Sequence, residues 1–295
     1  MDLNPDPTTL FIEDVDRIDS AFFDPERGIC GGSWHVDIAV SGPFDDNGFI
    51  YDFGPLKKAV REVLKGRIDH VLFVPVLAPG VTVRQGQVGP VHQLRTRDGE
   101  HWEYEGPEGS VRPVRATEIT RPLLEEECTR LLQAWMARPE LHLTVRLREE
   151  RGTDESVFFR YTHGIQGHAG LCQRLFHGHR GLLRINLDDE ERPDKARELV
   201  RNLFGDRSIH VATREQLTGE DAGGGSQLAF SASLGRYRGI VPRERLLFTE
   251  GSTCIEFLAG HIGRILATRE PPGTRISVAC YEGIGKGACF TTVAG

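Results

Sequence analysis

Hydrophobic and polar residues alternate along several segments, and this alternation predicts β-strands with one buried face. The clearest case is 33–40, where Trp34, Val36 and Ile38 fall on the same face. In the first half the predicted strands are 8–28, 33–40 and 141–148, with irregular strands expected over 71–115. In the second half they are 157–163, 182–187 and 228–241, and the segments 276–283 and 287–295 are predicted to close the chain as a β-hairpin.

Apolar residues at helical spacing predict four helices, two in each half of the chain. In the first helix Leu56, Val60 and Leu64 recur at this spacing behind Gly54-Pro55, which suits a helix start. The other three predicted helices cover 123–136, 193–204 and 255–266.

The order strand–strand–helix–helix–strand–strand occurs twice, which predicts a duplicated unit. Segments 116–132 and 248–266 both place a Thr-Glu pair before a helix of similar length. The alternative is two unrelated α+β domains that share an element order. The duplication predicts modules at 1–155 and 156–295, interrupted by inserts near 75–115 and 212–247.

Composition and charge narrow the class of protein. Of the 295 residues, 39% are hydrophobic and 27% are charged, which favours a packed core over global disorder. The net charge of −7 argues against nucleic acid as the main partner, because phosphate neutralisation needs a basic face. We expect no membrane span and no signal peptide, since there is no run of about 18 apolar residues and the N-terminus is acidic. The six dispersed cysteines are expected to be reduced, in a cytoplasmic protein.

A short stretch of the second half concentrates potential metal ligands. His177 and His179 flank a glycine at the start of a predicted strand, so their side chains point to the same face. With a third imidazole from the neighbouring strand they would form three corners of a tetrahedron. Three histidines with one open position are typical of catalytic zinc. We expect His163 as the third ligand, with His168 as the competing choice.

Three other residue groups are candidates for chemistry. Cys172 is either a fourth, closing zinc ligand or a reactive thiolate beside the metal. Asp69-His70 follows the first helix directly, and a carboxylate can orient an imidazole for proton transfer. Glu282, at the end of a predicted strand, can accept two parallel hydrogen bonds from an amidine-like ring edge.

Together these residues resemble the 6-pyruvoyl- and 6-carboxytetrahydropterin synthase family, which has the tunnelling fold, or T-fold. The resemblance depends on motifs from both halves and covers most of the chain outside the two inserts. The first half supplies Gly48 to Lys57 (GFIYDFGPLK) and Ile68-Asp69-His70. The second half supplies His163, Cys172, His177-Gly178-His179, Glu256 to Ala259 (EFLA) and Val278 to Glu282 (VACYE).

Each half departs from the family pattern in a different place. The first half has Cys30-Gly31-Gly32 where the family has His-Gly-His, and the earlier histidine falls at Phe22. The second half has Ile209-His210 at the expected Asp-His position and lacks the D-F-x-x-L-K element. The family's sites lie between subunits. The complementary losses therefore imply one composite site per chain, with zinc from one module and Asp-His from the other.

The resemblance implies an α+β fold of tandem T-fold modules, each an antiparallel four-stranded sheet with two helices on one face. It implies a zinc lyase acting on 7,8-dihydroneopterin triphosphate. Cys172 would be the general base, and His70, oriented by Asp69, would act on the other face of the carbon skeleton. Glu282 would anchor the pterin ring with Glu256 in support. The candidate phosphate ligands are Arg174, Arg180 and Lys286.

The sequence leaves more than one possibility for the reaction product and for the function of the zinc site. The short spacer between the cysteine and His-Gly-His favours the carboxy product, on the route to deazapurines such as queuosine, over the pyruvoyl product. A non-catalytic zinc-containing protein that binds pterin or purine is the second possibility, and a structural zinc domain closed by Cys172 is the third. One fused chain supplies too few strands for a wide barrel, which implies a homo-oligomer such as a trimer.

Overall fold

The computed structural model describes residues 8–205 and 207–295. The expectation that the N-terminus carries no signal peptide falls partly on residues 1–7, which lie outside the described residues. No helix in the described part of the chain is long and apolar enough to cross a membrane.

The first half forms a five-stranded mixed sheet. Its order is β7–β3–β1–β2–β8, in which β2 lies antiparallel to β1 and β8, while β3 lies parallel to β1 and β7. The strands are β1 (Thr9–Asp24), β2 (Gly28–Ser41), β3 (Leu72–Pro75), β7 (Val111–Val114) and β8 (His142–Arg148).

Two helices cover one face of this sheet. They are α1 (Phe53–Leu64) and α2 (Arg121–Met136). The Asp52 side chain caps α1 by accepting a hydrogen bond from Gly54 N, and Thr120 caps α2 in the same way through Leu123 N. Their apolar stripes pack on the inward residues of β1, β2 and β8 to form the first core.

The second half repeats this plan in a seven-stranded sheet. Its order is β16–β12–β9–β10–β17–β18, with the short β11 paired to β10. The strands are β9 (Val157–His163), β10 (His177–Leu187), β11 (Glu190–Glu191), β12 (Ile209–Ala212), β16 (Leu246–Phe248), β17 (Arg275–Tyr281) and β18 (Gly287–Val293). The helices are α3 (Pro193–Leu203) and α4 (Ile255–Ala267), which cover a second apolar core.

The two halves share their strand register. Phe22 lies opposite Cys30 in the first hairpin, as His163 lies opposite His177 in the second. The sheets are larger than the predicted four antiparallel strands, because β3 and β7 in one half, and β12 and β16 in the other, add parallel neighbours at one edge. The predicted boundary at 155/156 lies between β8 and β9.

The two inserts form a third sheet together. Each contributes three strands, and β6 pairs antiparallel with β15 to join them in the order β13–β14–β15–β6–β5–β4. The strands are β4 (Val81–Gln85), β5 (Pro90–Arg95), β6 (His101–Glu105), β13 (Leu217–Glu220), β14 (Ser226–Ala232) and β15 (Gly235–Val241). A third core, including Trp102, Tyr104 and Phe176, lies beneath this sheet.

The two halves meet where their first hairpins pack together, at a pair of glycines. A Cβ on Gly31 would lie 2.2 Å from the carbonyl oxygen of Tyr161, and one on Gly178 would lie 2.7 Å from the Cα of Gly31. Only glycine permits this approach of backbone to backbone. Because Gly178 lies between His177 and His179, the contact brings the first half against the histidine strand.

This contact gives a stability prediction. We expect Gly31→Ala to lower the free energy of unfolding by about 1–3 kcal/mol or more, since the added methyl group meets backbone that cannot move aside. Gly219→Ala is the matched control in a strand, because its Cβ would meet only the Gln227 side chain at 3.5 Å. Urea unfolding of both variants tests this, and equal midpoints would contradict the proposed close packing.

Candidate metal centre and acid–base pair

Three buried histidines converge at the junction of β9 and β10. His163 ends β9, and His177 and His179 begin β10, where His177 lies directly opposite His163. All three side chains are 0% exposed, and one ring nitrogen from each lies within 4.8 Å of the others. The i, i+2 spacing and the antiparallel register thus bring together the three imidazoles that the sequence singles out.

Oxygen atoms behind two of the rings, one in a hydrogen bond and one in a charged contact, orient the nitrogens that face the centre. The Nδ1 atom of His163 lies 2.7 Å from the carbonyl oxygen of Thr253, and Nδ1 of His179 lies 3.3 Å from Oδ1 of Asp19. Both rings therefore present Nε2 to the centre, where the two Nε2 atoms are 3.2 Å apart. Two nitrogens bound tetrahedrally to zinc at about 2.0–2.1 Å lie roughly 3.3 Å apart.

The chemistry of this donor set fits a divalent cation. Burial and the neighbouring imidazoles hold the pKa of His163 and of His177 well below the ordinary range, so both are neutral, as metal ligands must be. Neither ring nitrogen of His177 has a hydrogen-bond partner, although the ring is buried. A shared metal ion would satisfy both the buried His177 ring and the two Nε2 atoms that face each other at 3.2 Å.

His168, the competing ligand, lies away from these histidines. Its ring is exposed, and its Nδ1 accepts a hydrogen bond from Gly170 N at 2.8 Å. Among the described residues it belongs to neither group of side chains whose donor atoms converge.

The Asp-His pair of the first half lies at the same junction. A tight turn after α1 places His70 in the left-handed region, at φ 62°. Asp69 Oδ2 lies 2.6 Å from His70 Nδ1, and Asp69 Oδ1 accepts a hydrogen bond from Asp19 N. The carboxylate is therefore fixed by β1 and in turn fixes the imidazole.

His70 contacts both the thiol and the histidine cluster of the second half. Its Nε2 atom lies 3.3 Å from Cys172 Sγ, and its ring stacks on His177 at a centroid distance of 4.4 Å. Burial works to lower the pKa of His70, but hydrogen bonds to Asp69 and Cys172 outweigh it and raise the pKa to about 10. Residues about 100 positions apart in sequence thus form one constellation.

This geometry bears on two expectations for Cys172. Its sulfur groups with His70 and His177 and not with His163 and His179, so it lies beside the three-histidine set and does not close it. The sulfur is also in direct contact with His70, so the two residues form a thiol–imidazole pair. The expectation that they act on opposite faces of the substrate stays a prediction.

The two glutamates predicted to bind substrate lie in different surroundings. Glu282 follows β17, and its Oε1 is 3.6 Å from Nε2 of His163 and 3.8 Å from Nε2 of His179. That oxygen is buried and has no hydrogen-bond partner. Glu256 is exposed in the first turn of α4 and contacts Cys254, and no described contact joins it to the histidines.

The three candidate phosphate ligands differ in how far their charged groups already contact other residues. Arg174 is 8% exposed and donates to the carbonyl oxygen of His70 at 2.8 Å, which gives it a role in shaping the turn. Arg180 stacks over the Phe158 ring at 3.6 Å. Lys286 is half-exposed and forms an ion pair with Asp19 Oδ2 at 3.1 Å, which places its ammonium group beside a contact of His179.

The equivalent positions of the first half hold no histidine. Phe22, Cys30 and Gly32 occupy the places of His163, His177 and His179 in the shared register. The Trp34 ring packs directly over Gly32, where an added Cβ would lie 2.2 Å from it. The Trp34 indole thus lies where the counterpart of the His179 side chain would begin.

One sequence alignment was wrong. Leu72 of β3 pairs with Ala21, and His210 of β12 pairs with the equivalent residue Thr162. The counterpart of His70 is therefore Ser208, two residues before His210. His210 is instead a buried residue with its Nδ1 2.9 Å from the Thr162 hydroxyl, and burial lowers its pKa to about 3.

The structure also adds a residue that sequence reasoning missed. Asp19 of β1 is 6% exposed and touches His179, Ser33 and Lys286. Burial works to raise the pKa of Asp19, but its interactions with His179, Lys286 and Ser33 bring the pKa well below the ordinary range. The sequence signal that could have identified Asp19 is its position as an acidic residue in a mainly apolar part of a predicted strand.

Comparisons with known proteins return structural neighbours only. No family model matches the sequence, and no curated protein matches it. Half of the chain is similar to solved structures of 6-pyruvoyltetrahydropterin synthase. A catalytic-residue mutant from Plasmodium vivax has 15% identity and a TM-score of 0.41, covering 50% of this chain and 95% of its own. The Plasmodium falciparum protein has 15% identity and a TM-score of 0.40, covering 48% of this chain and 90% of its own.

Proposed function

We propose that this chain is a zinc-dependent pterin synthase, a lyase acting on 7,8-dihydroneopterin triphosphate or a related pterin. It consists of two fused modules, 1–155 and 156–295, that share one site. The observation that supports this most is the 3.3 Å contact of Cys172 with His70, beside a three-histidine cluster. The thiol and the metal ligands come from one half, and the oriented imidazole comes from the other.

His163, His177 and His179 would hold the zinc ion, which would supply Lewis acidity toward the side-chain oxygens of the substrate. Cys172, as thiolate, removes a proton from the substrate side chain. His70 faces the sulfur and, with its raised pKa, holds the proton that the thiol has released and can return it, while the Asp69 carboxylate fixes its tautomer and stabilises its charged form.

Glu282 binds the pterin ring at the border of the histidine cluster. Its Oε1 atom has no hydrogen-bond partner and can accept one of the two parallel N–H donors of a pterin edge, with Oε2 accepting the other. Glu256 is assigned a weaker, supporting role, because its side chain is exposed and pairs locally with Cys254.

Product analysis tests the activity. We expect incubation of the zinc-loaded protein with 7,8-dihydroneopterin triphosphate to give the 6-carboxy product by side-chain cleavage. Elimination of triphosphate to a 6-pyruvoyl product would instead assign the chain 6-pyruvoyl-tetrahydropterin synthase activity. Binding without turnover would favour a zinc-containing pterin- or purine-binding protein and would contradict the proposed lyase.

Glu282→Gln separates substrate binding from metal binding. The amide keeps the size of the carboxylate but loses its charge and one acceptor, so we expect KM or the pterin Kd to rise about 10-fold or more, as loss of a charged hydrogen bond predicts. The zinc content measured by atomic absorption should stay at the wild-type level. Zinc loss in this variant would show that the carboxylate is a metal ligand and not a ring anchor.

We further propose a homo-oligomer. In the described chain β8 pairs only with β2, and β18 pairs only with β17, so each of the two large sheets keeps an open edge. Edge strands of this length are ordinarily covered or paired. Pairing such edges between copies, as in a trimer of fused chains, would close a barrel, and sedimentation measurements test this arrangement.

A further inference from the structure

We infer that Asp19 is a positioning residue that holds His179 in its metal-binding tautomer and links the metal ligands to the Asp69–His70 pair. The inference rests on the proposed zinc function. It assigns to the first half, which has lost its own ligands, a direct part in the metal site of the second half.

The carboxylate of Asp19 is built into the site on both of its oxygens. Oδ1 accepts a hydrogen bond from the Ser33 hydroxyl and lies 3.3 Å from Nδ1 of His179. Oδ2 lies 3.1 Å from Nζ of Lys286. With the side chain 6% exposed, water cannot replace these partners freely.

This contact determines which nitrogen of His179 can bind metal. A carboxylate 3.3 Å from Nδ1 favours the tautomer with its proton on Nδ1, which leaves the lone pair on Nε2, the atom that faces the cluster. The carbonyl of Thr253, 2.7 Å from Nδ1 of His163, favours the same tautomer in that ring. Of these two partners only Asp19 carries charge, and a negative charge also raises the basicity of the imidazole toward the cation.

The backbone of Asp19 connects this ligand to the acid–base pair. Asp19 N donates to Asp69 Oδ1 at 2.9 Å, and the carbonyl oxygen of Asp19 accepts from His70 N at 2.8 Å. One residue of β1 thus fixes the turn that carries His70 and the ring of His179. Displacement of Asp19 would disturb both.

The turn after Glu282 is shaped to receive the same carboxylate. Gly283 adopts φ +76°, and a Cβ at this position would lie 2.3 Å from Asp19 Oδ1 and 3.0 Å from the Ser33 hydroxyl. A side chain there would push the carboxylate off His179. The glycine is therefore required both by its backbone conformation and by the approach of Asp19.

Zinc affinity of Asp19→Asn tests the inference without relying on turnover. The amide keeps the shape but loses the charge, so we expect zinc to bind about 10–100-fold more weakly in competition with a chelator. In long-range ¹H–¹⁵N spectra of the zinc-loaded protein, the Nδ1 proton of His179 should move upfield. The melting temperature of the metal-free protein should change much less than the zinc affinity.

Lys286→Met is the matched control. It breaks the same Asp19–Lys286 ion pair but leaves Asp19 against His179, and it removes a cation near the metal. We expect its zinc affinity to equal or exceed that of the wild type. A purely structural role for Asp19 would weaken zinc binding in both variants alike and would overturn the inference.

The remaining outcomes are also decisive. Wild-type zinc affinity in Asp19→Asn overturns the positioning role while leaving the proposed function intact. A wild-type protein that binds no zinc overturns the proposed function itself. If Asp19→Asn does not fold, Ser33→Ala loosens the same carboxylate by one hydrogen bond. Its zinc affinity should then fall below that of Lys286→Met, and an affinity equal to that control would contradict the inference.

Discussion

Replacing Cys172 by alanine is expected to reduce turnover by about 10²–10⁴-fold, the range that general acid–base catalysis supplies. The thiol lies 3.3 Å from His70 Nε2 and beside the three-histidine set, so its loss removes the proposed base without removing a metal ligand. The measurement is the rate of product formation from 7,8-dihydroneopterin triphosphate, with zinc content determined on the same samples. Zinc should stay at the wild-type stoichiometry.

His70→Asn should produce a loss of similar size. The two residues act on the same proton, so the double variant should be little slower than either single variant, and additive losses would contradict a shared step. Cys289→Ala is the control for the loss of a thiol, because that cysteine is exposed on β18 and contacts Ser277. A Cys172→Ala enzyme with full activity would refute its role as base, whatever the metal content.

The local elements and the convergence of the three histidines followed from the sequence because short-range patterns determine them. The spacing of His177 and His179 places both on one face of a strand in any fold, and a neighbouring strand is the obvious source of His163. The four helices lie within a few residues of their predicted bounds, since apolar spacing and the capping Asp52 and Thr120 are local signals.

What could not be predicted depends on contacts between distant segments. The role of Asp19 arises from packing β1 against β10 of the other half, and nothing near position 19 encodes its partner His179. The misplacement of the Asp-His counterpart at His210 has a related cause. The sequence alignment matched one histidine to another. The strand register is fixed only when β12 pairs with β9, and that register makes Ser208 the counterpart of His70.

The sheet layout was the least predictable part of the fold. The inserts interrupt each half at equivalent points, between β3 and β7 and between β12 and β16. Alternation identifies the insert strands β14 and β15 but cannot tell which strand of the other insert they pair with. The pairing of β6 with β15 therefore appears only in three dimensions, and with it the third core.

Replacing His177 by alanine is expected to abolish stoichiometric zinc binding. Both of its ring nitrogens are buried and lack hydrogen-bond partners, so the substitution removes a metal ligand without breaking a hydrogen bond. Loss of an outer-shell partner alone costs about 10–100-fold in affinity, so loss of a ligand should exceed that. Zinc at about 100 times its Kd should stabilise the wild-type fold by about 2.7 kcal/mol, and the variant should lose this stabilisation.

His168→Ala distinguishes a designated ligand from a nearby histidine. This residue lies in the same stretch of sequence, but its exposed ring bonds only locally, to Gly170 N. Zinc content and the zinc-dependent rise in melting temperature should therefore match the wild type. The protein must lose zinc when a ligand is removed, and must keep it when a histidine that does not bind the metal is removed. Zinc retained by His177→Ala or lost by His168→Ala would therefore place the metal elsewhere in the chain. The shared site proposed between the two halves would then have no basis.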